Sequence, residues 1–115
     1  MDWIADLERA IPELAGQIAV DAPSHEQVAP LSKWVQAAIR DDDLEAAGRG
    51  FDWVDARLQE PSALQRDLSI YFVTMIHFIG VKPVRRNEYF QRMPAKLFRM
   101  WREVNQAIDA AHELE

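Results

Sequence analysis

The stretch LQRDLSIYFVTMIHFIG, residues 64–80, holds the longest apolar block in the chain, broken only by Thr74 and His77 between positions 70 and 79. Pro61 and Ser62 precede it, and Gln65 stands three residues after Ser62. A serine hydroxyl there can accept one of the free N–H groups of a helix start, so the pattern reads as a capping box. Gly80 stands where a helix usually ends, because glycine takes the left-handed conformation without a Cβ clash. At ~100° per residue, Leu64, Leu68, Tyr71, Phe72, Met75, Ile76, Phe78 and Ile79 cover well over half the circumference. Arg66, Asp67, Thr74 and His77 share the remainder. The spacing predicts one helix over 64–80, buried on most sides as the central member of a bundle. It falls short of the ~20 apolar residues a bilayer span needs, so no membrane partner is expected.

Working outward, the flanks read as further helices. Upstream, Leu44, Ala47, Phe51, Val54 and Leu58 alternate steps of three and four, a helical seam. Gly48 and Gly50 within it weaken the isolated helix by up to ~1 kcal/mol each, and such small residues suit close approach of another helix. Before that, Leu31, Trp34, Val35, Ala38 and Ile39 form a stripe, with a possible capping box at Ser24 and Gln27. Pro30 inside this window predicts that the helix starts or kinks there. Asp2 can cap a first helix carrying Trp3, Ile4, Leu7, Ala10 and Ile11. Pro12 can open a second short turn, followed by Leu14, Ile18 and Val20.

Downstream, VKPVRR reads as a loop, and Asn87 can cap a short helical segment, NEYFQRM. Pro94 opens a last helix with Leu97, Phe98, Trp101, Val104, Ile108 and Ala111 on its apolar face, and residues 113–115 are expected to fray. The whole is one domain over residues 1–115, an all-α bundle of five to six helices, with the successive pairs 31–58 and 62–111 suggesting stacked antiparallel hairpins.

Of 115 residues, 49% are hydrophobic and 28% charged, a globular composition, and strand-like alternation is nowhere sustained. There is no cysteine, so no disulfide, thiolate nucleophile or cysteine-bound metal. The acidic, amphipathic start lacks the pattern of a secretory signal, which makes a bacterial-type cytoplasmic location the expectation. Net charge is −6. Residues 1–61 carry 5 basic and 13 acidic side chains, and residues 62–115 carry 8 basic and 6 acidic. Within 82–102, seven basic residues stand against Glu88 alone. Tyr89, Phe90 and Trp101 are interleaved there, a pattern compatible with nucleic acid. Against it, those aromatics fall on apolar stripes, and the basic residues can pair with the acidic half inside the fold. No nucleic-acid partner is expected.

No sequence motif carries catalysis. His25, His77 and His112 lie in no metal-binding spacing, and phosphate-loop, nucleophile-elbow and dinucleotide fingerprints are missing. Neither a catalytic residue, a metal nor a cofactor is expected. Asp41, Asp42 and Asp43 suit a helix N-terminus, because carboxylates accept its free N–H groups. On the helix that follows, with Leu44 at 0°, the seam centres near ~310°, Glu45 and Asp52 fall near ~90°, and Trp53 near ~180°. Trp53 is therefore expected on the outer side, either packing on another helix or anchoring a partner, since tryptophan is enriched at interface hot spots. The candidate partner face is Asp41, Asp42, Asp43, Glu45, Asp52, Trp53 and Asp55.

The order of LERAIPEL, LSKWVQAAI, RDDDLEAAGRGFDWVDARL, the apolar stretch and MPAKLFRMWREV resembles a family of small all-helical bacterial proteins. Its members resemble immunity proteins that neutralise polymorphic or contact-delivered toxins. The resemblance implies a non-catalytic cytoplasmic inhibitor whose partner is a cognate toxin domain, one with a basic surface if the acidic face is used. The alternatives are a helical adaptor or regulatory subunit, and a small helical enzyme or ligand-binding bundle centred on His77.

Overall fold

A computed structural model describes residues 3–59 and 61–113, with side chains as far as Asn105. The expected cap at Asp2 and the chain end at 114–115 lie outside the described residues, as do the side chains of Ile108 and Ala111. The described residues form six α-helices and one short 3₁₀ turn, with no strand. These are α1 (Trp3–Ala10), the 3₁₀ turn (Pro12–Leu14), α2 (Ser24–Arg40), α3 (Leu44–Leu58), α4 (Ala63–Tyr71), α5 (Pro83–Arg92) and α6 (Ala95–Glu113). The radius of gyration, 14.2 Å, is near the ~13 Å of a single packed domain of this length.

The central element is α3. It packs against α1, α2, α4, α5 and α6, and its seam residues Ala47, Phe51, Val54 and Leu58 are fully buried. Asp43 caps it, accepting from the Ala46 N–H at 3.1 Å. Its glycines do what small residues on a helix allow. A Cβ on Gly50 would overlap Val35 Cγ2 of α2, and one on Gly48 would overlap the Arg92 guanidinium of α5. Both neighbours use the space a side chain would fill, which explains why two poor helix formers sit in the most buried helix.

The expected helix over 64–80 is only half present. Ser62 caps its start as read, accepting from the Gln65 N–H at 3.0 Å, while the Gln65 side chain donates to Leu58 O at 2.9 Å. The helix then ends at Tyr71, and residues 72–80 run on as turns and extended chain. Three features of the sequence favour this exit. Val73, Thr74, Ile76 and Ile79 are β-branched and disfavour helix. The N–H groups of Phe72 and Val73 both close onto Leu68 O at 3.0 Å, so the last turn loosens. From Ile76 onward burial alternates: Ile76 in, His77 out, Phe78 in, Ile79 out, the two-residue period of extended chain.

Neighbouring helices satisfy the backbone groups that the lost helix would have paired. Ser32 Oγ donates to Tyr71 O at 3.0 Å. The Gln36 side-chain amide accepts from the His77 N–H at 3.0 Å and donates to His77 O at 3.1 Å. Trp101 Nε1 donates to Ile76 O at 2.9 Å. Phe78 is thereby placed among Tyr89, Phe90 and Trp101, with ring centroids 5.7, 5.2 and 5.3 Å away. Phe72 and Ile76 are buried, as a core role requires, but Met75 and Ile79 are exposed, at 57% and 83%. Gly80 does adopt a positive φ of +84°, in the turn after the extended segment rather than at a helix end.

Two smaller corrections concern starts. The expected loop VKPVRR is largely helical, because Pro83 at the first position presets φ and α5 begins there, four residues before the expected cap at Asn87. α2 starts at Ser24 and runs through Pro30, with Pro23 rather than Ser24 at the cap. Gln27 reaches back to Ala19 O and Val20 O at 3.2 and 2.8 Å.

Gly50→Ala should cost about 1–3 kcal/mol by overpacking against Val35, even though alanine is the better helix former. Gly48→Ala meets only the far end of a flexible arginine and should stay within about 1 kcal/mol of the parent. Urea titrations of the two variants check the pair, and equal stabilities would refute the close α2–α3 crossing.

Candidate functional site

The turn from α2 to α3 is built from the three aspartates themselves. Asp42 has φ +59°, a left-handed residue, while its N–H bonds Ile39 O at 3.2 Å and the Asp43 N–H bonds Ala38 O at 2.7 Å. This pair of reversed bonds is the Schellman ending, usually built on glycine and tolerated by aspartate at roughly 1–2 kcal/mol. The local fold thus fixes all three side chains: Asp43 caps α3, Asp42 turns toward α5, and Asp41 faces solvent.

From α5, Arg85 and Arg92 lie two turns apart and meet two of the expected site carboxylates. Arg85 Nε bonds Asp42 at 2.5 Å and also pairs with Glu88. Tyr89 donates its hydroxyl to the same Asp42 oxygen at 3.1 Å. Arg92 grips Asp52 with two parallel bonds of 2.9 and 2.7 Å, the planar fork geometry arginine favours. These arginines hold the carboxyls of both Asp42 and Asp52 below the ordinary range. Tyr89 is fully buried, and burial, followed by its bond to Asp42, pushes its hydroxyl up to about 12. Asp55 accepts the Leu97 N–H at 3.3 Å, capping the start of α6, and is bonded by Gln59 at 3.2 Å.

Trp53 is not on the outer surface. It is 6% exposed, packs 6.1 Å from the Trp3 ring, and donates its indole N–H to Asp6 at 3.1 Å. Arg57 pairs with the same Asp6 oxygen and lies 5.0 Å over the Trp53 ring. The helical-wheel reading assumed one buried face, whereas α3 is enclosed on nearly all sides and its far face receives α1. Trp53 therefore fastens α1 to α3 and offers no anchor to a partner.

Of the seven expected site residues, the fold brings Asp41, Asp43 and Glu45 together at one end of α3. It commits Asp42, Asp52, Trp53 and Asp55 to internal contacts, and Asp43 to the cap of α3. Beside Asp41 and Asp43 lies a cleft of about 210 Å³ that sequence reading missed, lined by Glu13, Trp34, Ala37, Ala38 and Ala46 as well. Arg49 touches two of these lining residues. It binds Glu13 through two bonds of 2.8 and 2.9 Å and lies 5.5 Å over the Trp34 ring. The only sequence signal was Trp34 four residues before Ala38 on a helix, which gave no hint that Glu13 would arrive from the N-terminal turn.

His77 is exposed and its Nδ1 accepts the Ile79 N–H at 3.4 Å. A trough passes beside it, but no carboxylate, hydroxyl or second histidine lines that part to share a proton. Among the described residues, no three histidine, aspartate or glutamate side chains gather as a metal group, and no helix is long and apolar enough to cross a membrane. No known protein family, curated protein or solved structure matches the chain.

Two titrations follow. Carboxyl groups with folded pKa values below the ordinary one stabilise the fold above that value and lose the contribution as pH falls through the folded value. Acid should therefore release α5, in the range below ~4. An Asp42→Asn, Asp52→Asn double variant should be less stable than the parent at neutral pH and should lose less between pH ~5 and ~2, followed by circular dichroism. Tyr89 has a raised folded pKa, so its contribution is full below the ordinary value of ~10 and disappears as pH rises toward about 12. In a phenolate absorbance titration, Tyr89→Phe should remove a late-ionising group, and a parent whose tyrosines all ionise near ~10 would contradict the buried hydroxyl.

Proposed function

We propose that this chain is a non-catalytic binding protein, a cytoplasmic inhibitor of the immunity type that neutralises a cognate toxin domain through its acidic α2–α3 end. The observation that carries the reading is the cleft beside Asp41 and Asp43. Its lining is apolar at Trp34, Ala37, Ala38 and Ala46 and carboxylate at Glu13, Asp41 and Asp43, of which Glu13 is paired with Arg49 and Asp43 caps α3. A lysine or arginine side chain matches that pattern, with its methylene stem against the apolar lining and its charged head at the carboxylates. Among the described residues Asp41 pairs only with its chain neighbour Arg40, at 3.4 Å, and both Asp41 and Glu45 are exposed, so a basic partner can reach them. A basic toxin surface would be drawn in by the same charges, which raise association rates more than final affinity. The reading requires no cofactor, no nucleic acid and no membrane.

The competing assignment is a helical adaptor that uses the same surface toward a different protein. A toxin encoded beside this gene separates the two.

The test is a binding titration with the partner captured from the native cell, at two salt concentrations. The double variant Asp41→Lys, Glu45→Lys changes exposed side chains and should stay folded. It should slow association and weaken binding at least about tenfold at low salt, with a smaller salt dependence than the parent. Asp52→Asn, which loosens α5, should change affinity much less. Unchanged affinity for the folded double variant would remove this face as the interface.

A further inference from the structure

Where the acidic half is largely consumed, a second surface of opposite character appears between the C-terminal half of α2 and the chain after Phe78. Two voids of about 380 and 470 Å³ share Ile39, Arg40, Gly80 and Val81 and so adjoin along one trough-like surface. Ile39 and Val81 form an apolar floor. Ile79, 83% exposed, stands along one wall. Lys82, Arg85 and Asp42 line the end away from His77, with Asp42 bonded to Arg85, and Arg40 lies along both voids.

Of these three cations, only Arg85 is paired with carboxylates other than a chain neighbour. Lys82 has no ion partner among the described residues, and Arg40 has only the adjacent Asp41. Arg85 is held in place by Asp42 and Glu88. At Gly80, nothing lies within 4 Å of the position a Cβ would take, so another backbone can approach closely. Single exposed aliphatics are ordinary on protein surfaces. An exposed isoleucine beside an apolar floor, ending in cations on a chain of net charge −6, has a specific complement.

We propose that this trough is a docking site for an extended segment of a protein partner in which aliphatic side chains alternate with carboxylates. The aliphatic groups lie on Ile39 and Val81 beside Ile79, and the carboxylates meet Arg40 and Lys82. The extended form suits an open trough longer than a single side chain. The surface is distinct from the acidic cleft, so the chain has two chemically opposite faces and can hold a basic and an acidic segment at once.

The test uses three labelled peptides, Gly-Ser-Leu-Asp-Leu-Glu, its Lys-for-acid counterpart and a Ser-for-Leu counterpart, titrated against the ¹⁵N-labelled full chain. The acidic, leucine-bearing peptide should shift the amides of Ile39, Gly80, Val81 and Lys82, and the other two should bind at least about tenfold more weakly. The charge reversal Arg40→Glu, Lys82→Glu should lower affinity by a similar factor, and Ile79→Ser should weaken binding without altering the fold, as all three side chains are exposed. No shifts from any peptide at millimolar concentration would overturn the proposal. So would equal binding of the lysine peptide, or shifts confined to the acidic cleft.

Discussion

The amide of Gln36 grips both the N–H and the C=O of His77, and the rest of the architecture depends on that exchange and its two companions. A backbone that leaves a helix inside a protein must find other partners for its polar groups. Here Ser32 and Gln36 of α2 and Trp101 of α6 supply them. The segment can then abandon helical geometry at Tyr71 and carry Phe78 into the ring cluster. That cluster holds Tyr89 and Phe90 of α5 and Trp101 of α6 around one side chain. With Tyr89 so placed, its hydroxyl reaches Asp42, and Arg85 and Arg92 come within range of Asp42 and Asp52. The pairing of Asp42 and Asp52 with α5 thus goes with the seat of one phenylalanine.

Much of the fold was legible because its signals are local. The seam of α3, the Ser62 cap, the turn at Pro12, the apolar stripe of α2 and that of α6 as far as Val104 all follow from spacing and cap chemistry, and each lies where that chemistry places it. The unreadable part is the tertiary override at 72–80. Its apolar residues satisfy a helical wheel and an alternating extended pattern equally well. The deciding contacts come from residues 32, 36 and 101, far away in sequence. The same limit applied to Trp53. A wheel finds the richest face of a helix, but it does not count how many neighbours a central helix has.

The candidate site was legible as charge and illegible as geometry. The excess of acid before residue 61 is plain in the sequence, and so is the basic run after it. Their mutual pairing through Asp42–Arg85 and Asp52–Arg92 decides which carboxylates remain for a partner. What is left there, Asp41 beside Trp34 and the exposed Glu45, with Asp43 capping α3 between them, is a smaller and more specific surface than the whole acidic half. Glu13 joins it from the N-terminal turn, where it is held by Arg49.

The most direct test of this account is the backbone ¹³C chemical shift of residues 64–80 in the intact protein. Helical Cα shifts should run from Ala63 to Tyr71 and stop, with values of turn and extended chain from Thr74 to Gly80. Helical shifts continuing to Ile79 would contradict the account, because Gln36 and Trp101 would then have no free backbone to hold.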